Sequence, residues 1–118
     1  MSLTLSARNT VLPTLFSGTV YVALHSGNPG DTASANELSG GGYARQPATF
    51  SIDNSTGTAS LVSGVSFTVS GTVTITHISM WSAATGGTAF NRQPLASPVQ
   101  ASGTFTIATG DITVGGPV

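Results

Sequence analysis

Hydrophobic and polar residues alternate along most of the chain, which is the pattern of half-buried β-strands. The first such segment, TVYVALHS at residues 19–26, places Val20, Val22 and Leu24 on one side of a strand and Tyr21 on the other. Strand-like patterns recur in RQPATFSI, TASLVS, VSFTVS, TVTITHISMW, TAFNRQPL, SGTFTIA and DITV. Short alternating strands predict an all-β fold, either an antiparallel β-sandwich or a jelly-roll-like barrel.

Turn-forming residues separate these segments. We assign the turns to residues 53–57, Gly64, Gly71, Gly86–Gly87, Ser102–Gly103 and Gly110–Asp111. In the longest segment, Val73 and Ile75 share one face whereas Ile78 and Met80 have the opposite phase. This change predicts a β-bulge or a change of sheet near His77. A central strand that is covered on both faces is the alternative.

The amino-terminal segment has a different pattern. The apolar residues of LPTLF, residues 12–16, are spaced like one face of a helix. Ser2 or Ser6 is suited to cap this helix, and Gly18 is suited to end it. Pro13 lacks an N–H group and fits poorly in the interior of a helix, so we expect the helix to be short or broken.

The length of 118 residues suits one hydrophobic core and would leave two cores marginal. We therefore expect a single β domain over residues 1–118, with an amino-terminal arm or short helix over 1–18 and a β-sandwich over 19–118. The stretch Gly27–Gly42 contains GNPGD and SGGG and almost no large apolar side chain, which predicts a long loop. A loop of this length in a compact domain is usually functional or mobile.

Charge is scarce in this sequence. Charged residues make up 6% of the chain, lysine is absent, and the formal net charge is -1. We expect such a surface to be covered in an assembly, although abundant Ser, Thr and Gly offer an alternative way to hydrate it. The sequence has neither a basic patch for phosphates nor an apolar span of about 20 residues, so neither nucleic acid nor a membrane is an expected partner. The first ten residues lack a secretion-signal pattern, so classical secretion is not expected.

The residues available for catalysis are few. His25 and His77 could meet Asp31 or Glu37 to form a base or a metal site, but their spacing does not require it. A packed, hydrogen-bonded histidine is the more common role on a β-strand. There is no G-x-S-x-G elbow, no phosphate-binding glycine motif and no cysteine. We therefore expect no enzymatic activity, no catalytic residue, no metal and no cofactor.

Three segments together resemble the opening of small tailed-phage virion proteins. They are LPTLFSG at 12–18, VYVALHSGNPGD at 20–31 and NELSGGGYARQPATF at 36–50. A fourth, WSAATGGTAF at 81–90, is similar to a later stretch of the same family. Members are labelled either head-decoration or tail-fibre-like proteins. The resemblance thus implies a virion structural role and leaves the position on the particle open.

Our leading hypothesis is a capsid decoration, or cement, protein that binds the major capsid protein lattice. A homotrimer suits the local threefold positions of such a lattice. A tail or tail-fibre component is the alternative, with another virion protein as its partner. A carbohydrate-binding module is a remote alternative, since it would need a row of exposed aromatic side chains. Either virion role places the protein on the surface of the phage particle after its synthesis in the host cytoplasm.

The charged and aromatic residues that stand out on this surface are candidates for an interface. They are Arg45, Tyr43, Asp31, Glu37, Arg92 and Trp81. Large aromatic residues and directional ion pairs carry much of the binding energy at interfaces, whereas solvated charges and a core tryptophan are the alternatives. We expect Arg45 to have a fixed partner, either Asp31, Glu37 or an acidic group on a neighbouring subunit.

Overall fold

The structure, a computed structural model, describes residues 4–16, 18–108 and 112–115, except for the side chain of Ala96. Within these residues the elements are α1 (Leu5–Phe16), β1 (Val20–His25), β2 (Gln46–Ala48), β3 (Phe50–Asp53), β4 (Thr58–Leu61), β5 (Val65–Trp81), β6 (Ala89–Ile107) and β7 (Thr113–Gly115). They form two antiparallel sheets with strand orders β2-β1-β5-β6 and β3-β4-β7. The predicted all-β sandwich with a short amino-terminal helix is confirmed. Ser2, to which we assigned a cap, and Gly110–Asp111, to which we assigned a turn, lie outside the described residues.

Helix α1 begins at a different cap from those expected. The Thr4 hydroxyl accepts a hydrogen bond from the Ala7 N–H at 3.2 Å, and the Thr4 carbonyl accepts one from the Arg8 N–H at 2.9 Å. Thr4 is therefore the amino-terminal cap, and Ser6 lies inside the helix. In the part of the chain that the structure describes, no helix is long and apolar enough to cross a membrane.

Of the two expected outcomes, a short helix and a broken one, the structure shows the short helix, because α1 continues through Pro13 to Phe16 without a break. Pro13 lies in the last turn, where it removes a single backbone hydrogen bond. Leu12 and Phe16 on either side of it are buried in the core. Burial of an apolar helix face supplies most of the stability of a short helix, which offsets the lost bond.

Helix α1 also packs against the second sheet and its first turn. The Phe16 ring meets Phe50 edge-on with centroids 5.0 Å apart, and it meets Phe90 in the same way at 5.4 Å. At the other end of the helix, Arg8 Nε donates to the Gly57 carbonyl at 3.1 Å. The amino-terminal segment is thus an integral layer of the fold and not a free arm.

The hydrophobic core combines the inner faces of both sheets with this helix. Its buried members include Val20, Val22, Leu24, Leu61, Phe67, Ile75, Ile78, Met80 and Ile107. Alternation along β5 explains the choice of residues, since every second side chain of Val65–Val69 is buried and those between are exposed. The sequence pattern thus determines which face of the strand packs inward.

Strands β5 and β6 form a long hairpin in which two of the predicted turns are absent. Gly71 lies within β5 and Ser102–Gly103 within β6, so both turn assignments are wrong. Gly71 and Gly103 have φ angles of 63° and 79°, which glycine adopts at little cost. The register shifts between Thr68 and Thr72, so the positive-φ conformation produces a bulge without reversing the chain.

The predicted irregularity near His77 is confirmed. Ile75 pairs with Val99 of β6, whereas His77 pairs with Pro94, so the register shifts between these two positions of β5. The extra residues of β6, 95–98, bulge out of the ladder. On its other side β5 pairs with β1, where His25 lies opposite His77.

We predict that Phe16→Ala lowers the free energy of unfolding by about 3–5 kcal/mol, because it opens a cavity beneath α1. Phe16 is 1% exposed, whereas Val11 on the same helix is 38% exposed. Urea unfolding of both alanine variants tests this, with Val11→Ala expected to change stability little. Equal stabilities of Phe16→Ala and the unmodified protein would show that α1 is dispensable for the fold.

Candidate functional site

The predicted loop Gly27–Gly42 is confirmed, and its backbone is anchored to the end of β1. The Ser26 N–H donates to the Asn36 carbonyl, and the Leu38 N–H donates to the Leu24 carbonyl, each at 3.0 Å. His25 and Glu37 form an isolated antiparallel bridge. The loop returns to the strand it left, which brings Glu37 beside the first sheet.

Arg45 binds three separate parts of the chain at this point. Its Nε and Nη2 donate to the two carboxylate oxygens of Glu37, each at 3.0 Å. Its Nη1 donates to the carbonyls of Ala83 at 3.3 Å and Gly86 at 3.0 Å, in the turn between β5 and β6. The guanidinium carbon lies 3.8 Å from the centroid of the Trp81 ring. This bidentate and stacked geometry is specific to arginine, since lysine offers a point charge without the planar fork.

Tyr43 completes the environment of the Glu37 carboxylate. Its hydroxyl donates to Glu37 Oε2 at 2.9 Å and accepts a hydrogen bond from the Leu24 N–H at 3.0 Å. Its ring stacks on Phe67 with centroids 6.4 Å apart. Burial raises the pKa of the Tyr43 phenol well above its ordinary value, so the hydroxyl remains a donor.

Opposing effects act on the pKa of Glu37. Burial favours the neutral carboxyl and raises the pKa, but hydrogen bonds from Arg45 and Tyr43 favour the carboxylate. The second effect is the larger in sum, and the net pKa is below its ordinary value. Glu37 is therefore a carboxylate at neutral pH, paired with an arginine whose side chain is only 11% exposed.

A second polar network lies beneath Arg45, in the core of the first sheet. His25 Nδ1 lies 2.8 Å from the Ala35 carbonyl, which can only accept, so Nδ1 carries the proton. Nε2 then accepts from the Ser79 hydroxyl at 2.7 Å, and Ser79 Oγ accepts from Trp81 Nε1 at 2.7 Å. The network connects the loop to β5 and orients the indole ring beneath Arg45.

The contact between Ser79 and His25 has the connectivity of a nucleophile with its base. Both side chains are fully buried, however, so no substrate can reach them in this structure. His77 faces His25 across the strands, but the described residues contain no group of three His, Cys, Asp or Glu side chains suited to a metal ion. This histidine pair is explained by packing and hydrogen bonding.

Asp31 and Arg92 form a separate, exposed ion pair. Arg92 Nη2 donates to Asp31 Oδ1 at 2.9 Å, and Arg92 Nη1 donates to Asn28 Oδ1 at 3.3 Å. The side chains are 41% exposed for Arg92 and 98% exposed for Asp31. Solvent screens a pair of this kind, so it contributes little to stability.

The six candidate interface residues thus divide into two groups. Arg45, Glu37, Tyr43 and Trp81 come together as one partly buried cluster, which we call the arginine cluster. Arg92 and Asp31 lie apart from it on the surface. Sequence reasoning missed Ser79 as the centre of the buried network. The sequence feature that could have indicated Ser79 is a polar residue inside the mainly apolar run HISMW.

Comparison with protein families gives one match. The family model described as Podophage GP4 fiber I protein gp80 matches residues 3–115, which is nearly the whole chain. Among curated proteins no match is found. The description of the matched family is that of a structural protein of a phage fibre, in agreement with the virion structural role that the sequence resemblance implied.

We predict that Arg45→Ala lowers the free energy of unfolding by about 3–5 kcal/mol, because it leaves the Glu37 carboxylate partly buried without its cation. Arg92→Ala is the matched control and is expected to cost under about 1 kcal/mol. Chemical denaturation of both variants at neutral pH measures the difference. Equal losses in the two variants would contradict the special position of the Arg45 pair.

We predict that stability falls on mild acidification because of His25. Burial lowers the pKa of His25 below 6.5, although the bond to Ala35 and the Glu37 charge partly oppose this. His77 and Arg45 act in the same direction as burial. As the pH falls below about 6.5 the unfolded chain binds a proton that the folded chain does not, so unfolding becomes easier until the folded pKa is reached.

Urea unfolding between pH 8 and pH 5 tests this window, which lies above the range in which Glu37 titrates. The slope of the unfolding free energy against pH should approach at most about 1.4 kcal/mol per pH unit. His25→Asn should flatten this slope. An unchanged slope in His25→Asn would contradict the assignment.

Proposed function

Because the chain belongs to the Podophage GP4 fiber I protein gp80 family, we propose that this virion structural protein is a component of a tail fibre. The match over residues 3–115 carries the proposal. It supports the tail-fibre alternative better than the head-decoration role that was our leading hypothesis. A structural role also agrees with a fold in which the buried polar groups around Arg45 and His25 bind one another within the chain.

In this proposal the two groups of candidate residues have different tasks. The arginine cluster fixes the loop Gly27–Gly42 and the turn between β5 and β6, because Arg45 bonds to both. Asp31 lies on that loop and is almost fully exposed, next to Arg92 on β6. Asp31 and Arg92 are thus placed to contact another virion protein, while the cluster acts by holding them in position.

The carbohydrate-binding alternative receives no support from the aromatic side chains. Trp81 is buried beneath Arg45, and Tyr43 is stacked on Phe67 and bonded to Glu37. Among the described residues, the large apolar side chains that are exposed are Leu5, Val11, Val62 and Val99, none of them aromatic. A row of exposed rings is therefore missing from the described surface.

We predict that an epitope-specific antibody labels the fibres of intact particles and leaves the head unlabelled. Electron microscopy with gold-conjugated antibody measures this directly. Particles that lack the protein serve as the control for non-specific labelling. Label distributed over the head faces would contradict the fibre assignment and restore the decoration role.

The contact residues are tested by complementation of particles that lack the protein. Asp31→Asn combined with Arg92→Gln should reduce the amount of protein in purified particles and leave its melting temperature nearly unchanged. Asp53→Asn, at an exposed acidic residue that ends β3, is the matched control and should be incorporated normally. Normal incorporation of the double variant would remove Asp31 and Arg92 from the interface.

A further inference from the structure

The first sheet ends in an unusually long open edge. Strand β6 is 19 residues long and pairs with β5 on one side only. In residues 99–107, no described backbone group has a hydrogen bond outside the pairing with β5. One row of N–H and C=O groups therefore faces outward, where it is available to another strand.

The two halves of β6 differ in how this edge is protected. Natural proteins blunt open edges with charges, prolines and bulges. The first half has all three: Arg92, Pro94, Pro98 and the bulge at 95–98. The second half, VQASGTFTI at 99–107, has neither charge nor proline, and its irregularity is confined to Gly103. The protection is thus missing where the edge is otherwise continuous.

We propose that a second copy of this chain pairs with this edge, β6 against β6 and antiparallel, through residues 99–107. The other described edges are too short or too disrupted to match it. β2 has three residues including Pro47, β3 has four, and β7 has three. Among the sheet edges that the structure describes, only another β6 offers a partner of equal length. The pair would be related by a twofold axis, since the same patch serves both copies.

An uncharged cleft beside the edge supports the choice of a second copy. Its volume is about 720 Å³, and its apolar lining includes Ile78, Leu95, Val99, Phe105, Ile107 and Ile112. Val99 is 39% exposed at its border. In a pair centred on Gly103, Val99 of one copy lies beside Ile107 of the other, which removes apolar surface from water. The neutral segment 99–107 brings no unpaired charge to this lining.

The exposed side chains of the same segment are also suited to pairing. Ser102, Thr104 and Thr106 are exposed on β6. In a pair centred on Gly103, Ser102 of one copy lies opposite Thr104 of the other, and hydroxyl residues in such positions form favourable cross-strand contacts. Thr106 lies opposite Gln100, which is also polar and exposed. Pairing through β6 is independent of the proposed position in the fibre.

Sedimentation of the purified chain over a wide concentration range tests the pairing. The unmodified protein should reach twice the chain mass of 11.7 kDa. Ser102→Lys combined with Thr104→Lys should remain at the monomer mass, because lysines then face lysines across the edge. Ser6→Lys combined with Thr14→Lys adds the same charge on exposed positions of α1 and should still pair.

Hydrogen exchange gives the second readout on the same samples. Amides of residues 99–107 that face outward should become protected as the concentration rises, and those of β3 and β7 should not change. A monomer at all concentrations, a trimer, or pairing retained by the Ser102→Lys/Thr104→Lys variant would each overturn the inference. Protection that rises at another edge and not in β6 would also overturn it.

Discussion

The guanidinium of Arg45 is the interaction on which this end of the molecule depends. It joins Glu37 on the long loop, Trp81 at the end of β5 and two carbonyls in the following turn. Burying a charge is costly, but here it is matched by a carboxylate in bidentate geometry and by further acceptors. Such a pair adds little net stability compared with apolar packing, yet removal of one partner lowers the stability strongly because the other charge stays buried. Its main effect is therefore to select one arrangement of the two loops.

The surrounding structure satisfies nearly all the polar groups that this arrangement buries. His25, Ser79 and Trp81 bond in series beneath Arg45, and Tyr43 bonds to both the loop and β1. A chain without cysteine cannot hold a loop of this length with a disulfide. Hydrogen bonds and aromatic packing hold the loop instead. The few cations of this chain are also satisfied within it, because each of the three arginines has more than one hydrogen-bond partner.

Residue periodicity was enough to predict most strand segments and the irregularity near His77, because burial of one face imposes a period of two. It did not predict that RQPATFSI divides into β2 and β3, which lie in different sheets. Gly71 and Gly103 were misassigned because a glycine with positive φ has the same sequence signature in a turn as in a bulge. The choice between a short and a broken helix at Pro13 could not be made from the sequence, because helix propensity is local whereas Phe16 is held by tertiary contacts. The choice of Glu37 over Asp31 as the partner of Arg45 depends on the path of the loop, which composition does not encode.

A virion structural protein works by presenting a fixed surface, and the central claim is that the arginine cluster fixes the loop Gly27–Gly42 as firmly as the sheet. Hydrogen exchange of the amides of Ser26 and Leu38, which bond across the base of the loop, measures this most directly. The account predicts that they exchange as slowly as the amides of β1 and β5, through global unfolding alone. Exchange of these two amides at the rate of an exposed loop, with β1 and β5 still protected, would contradict it.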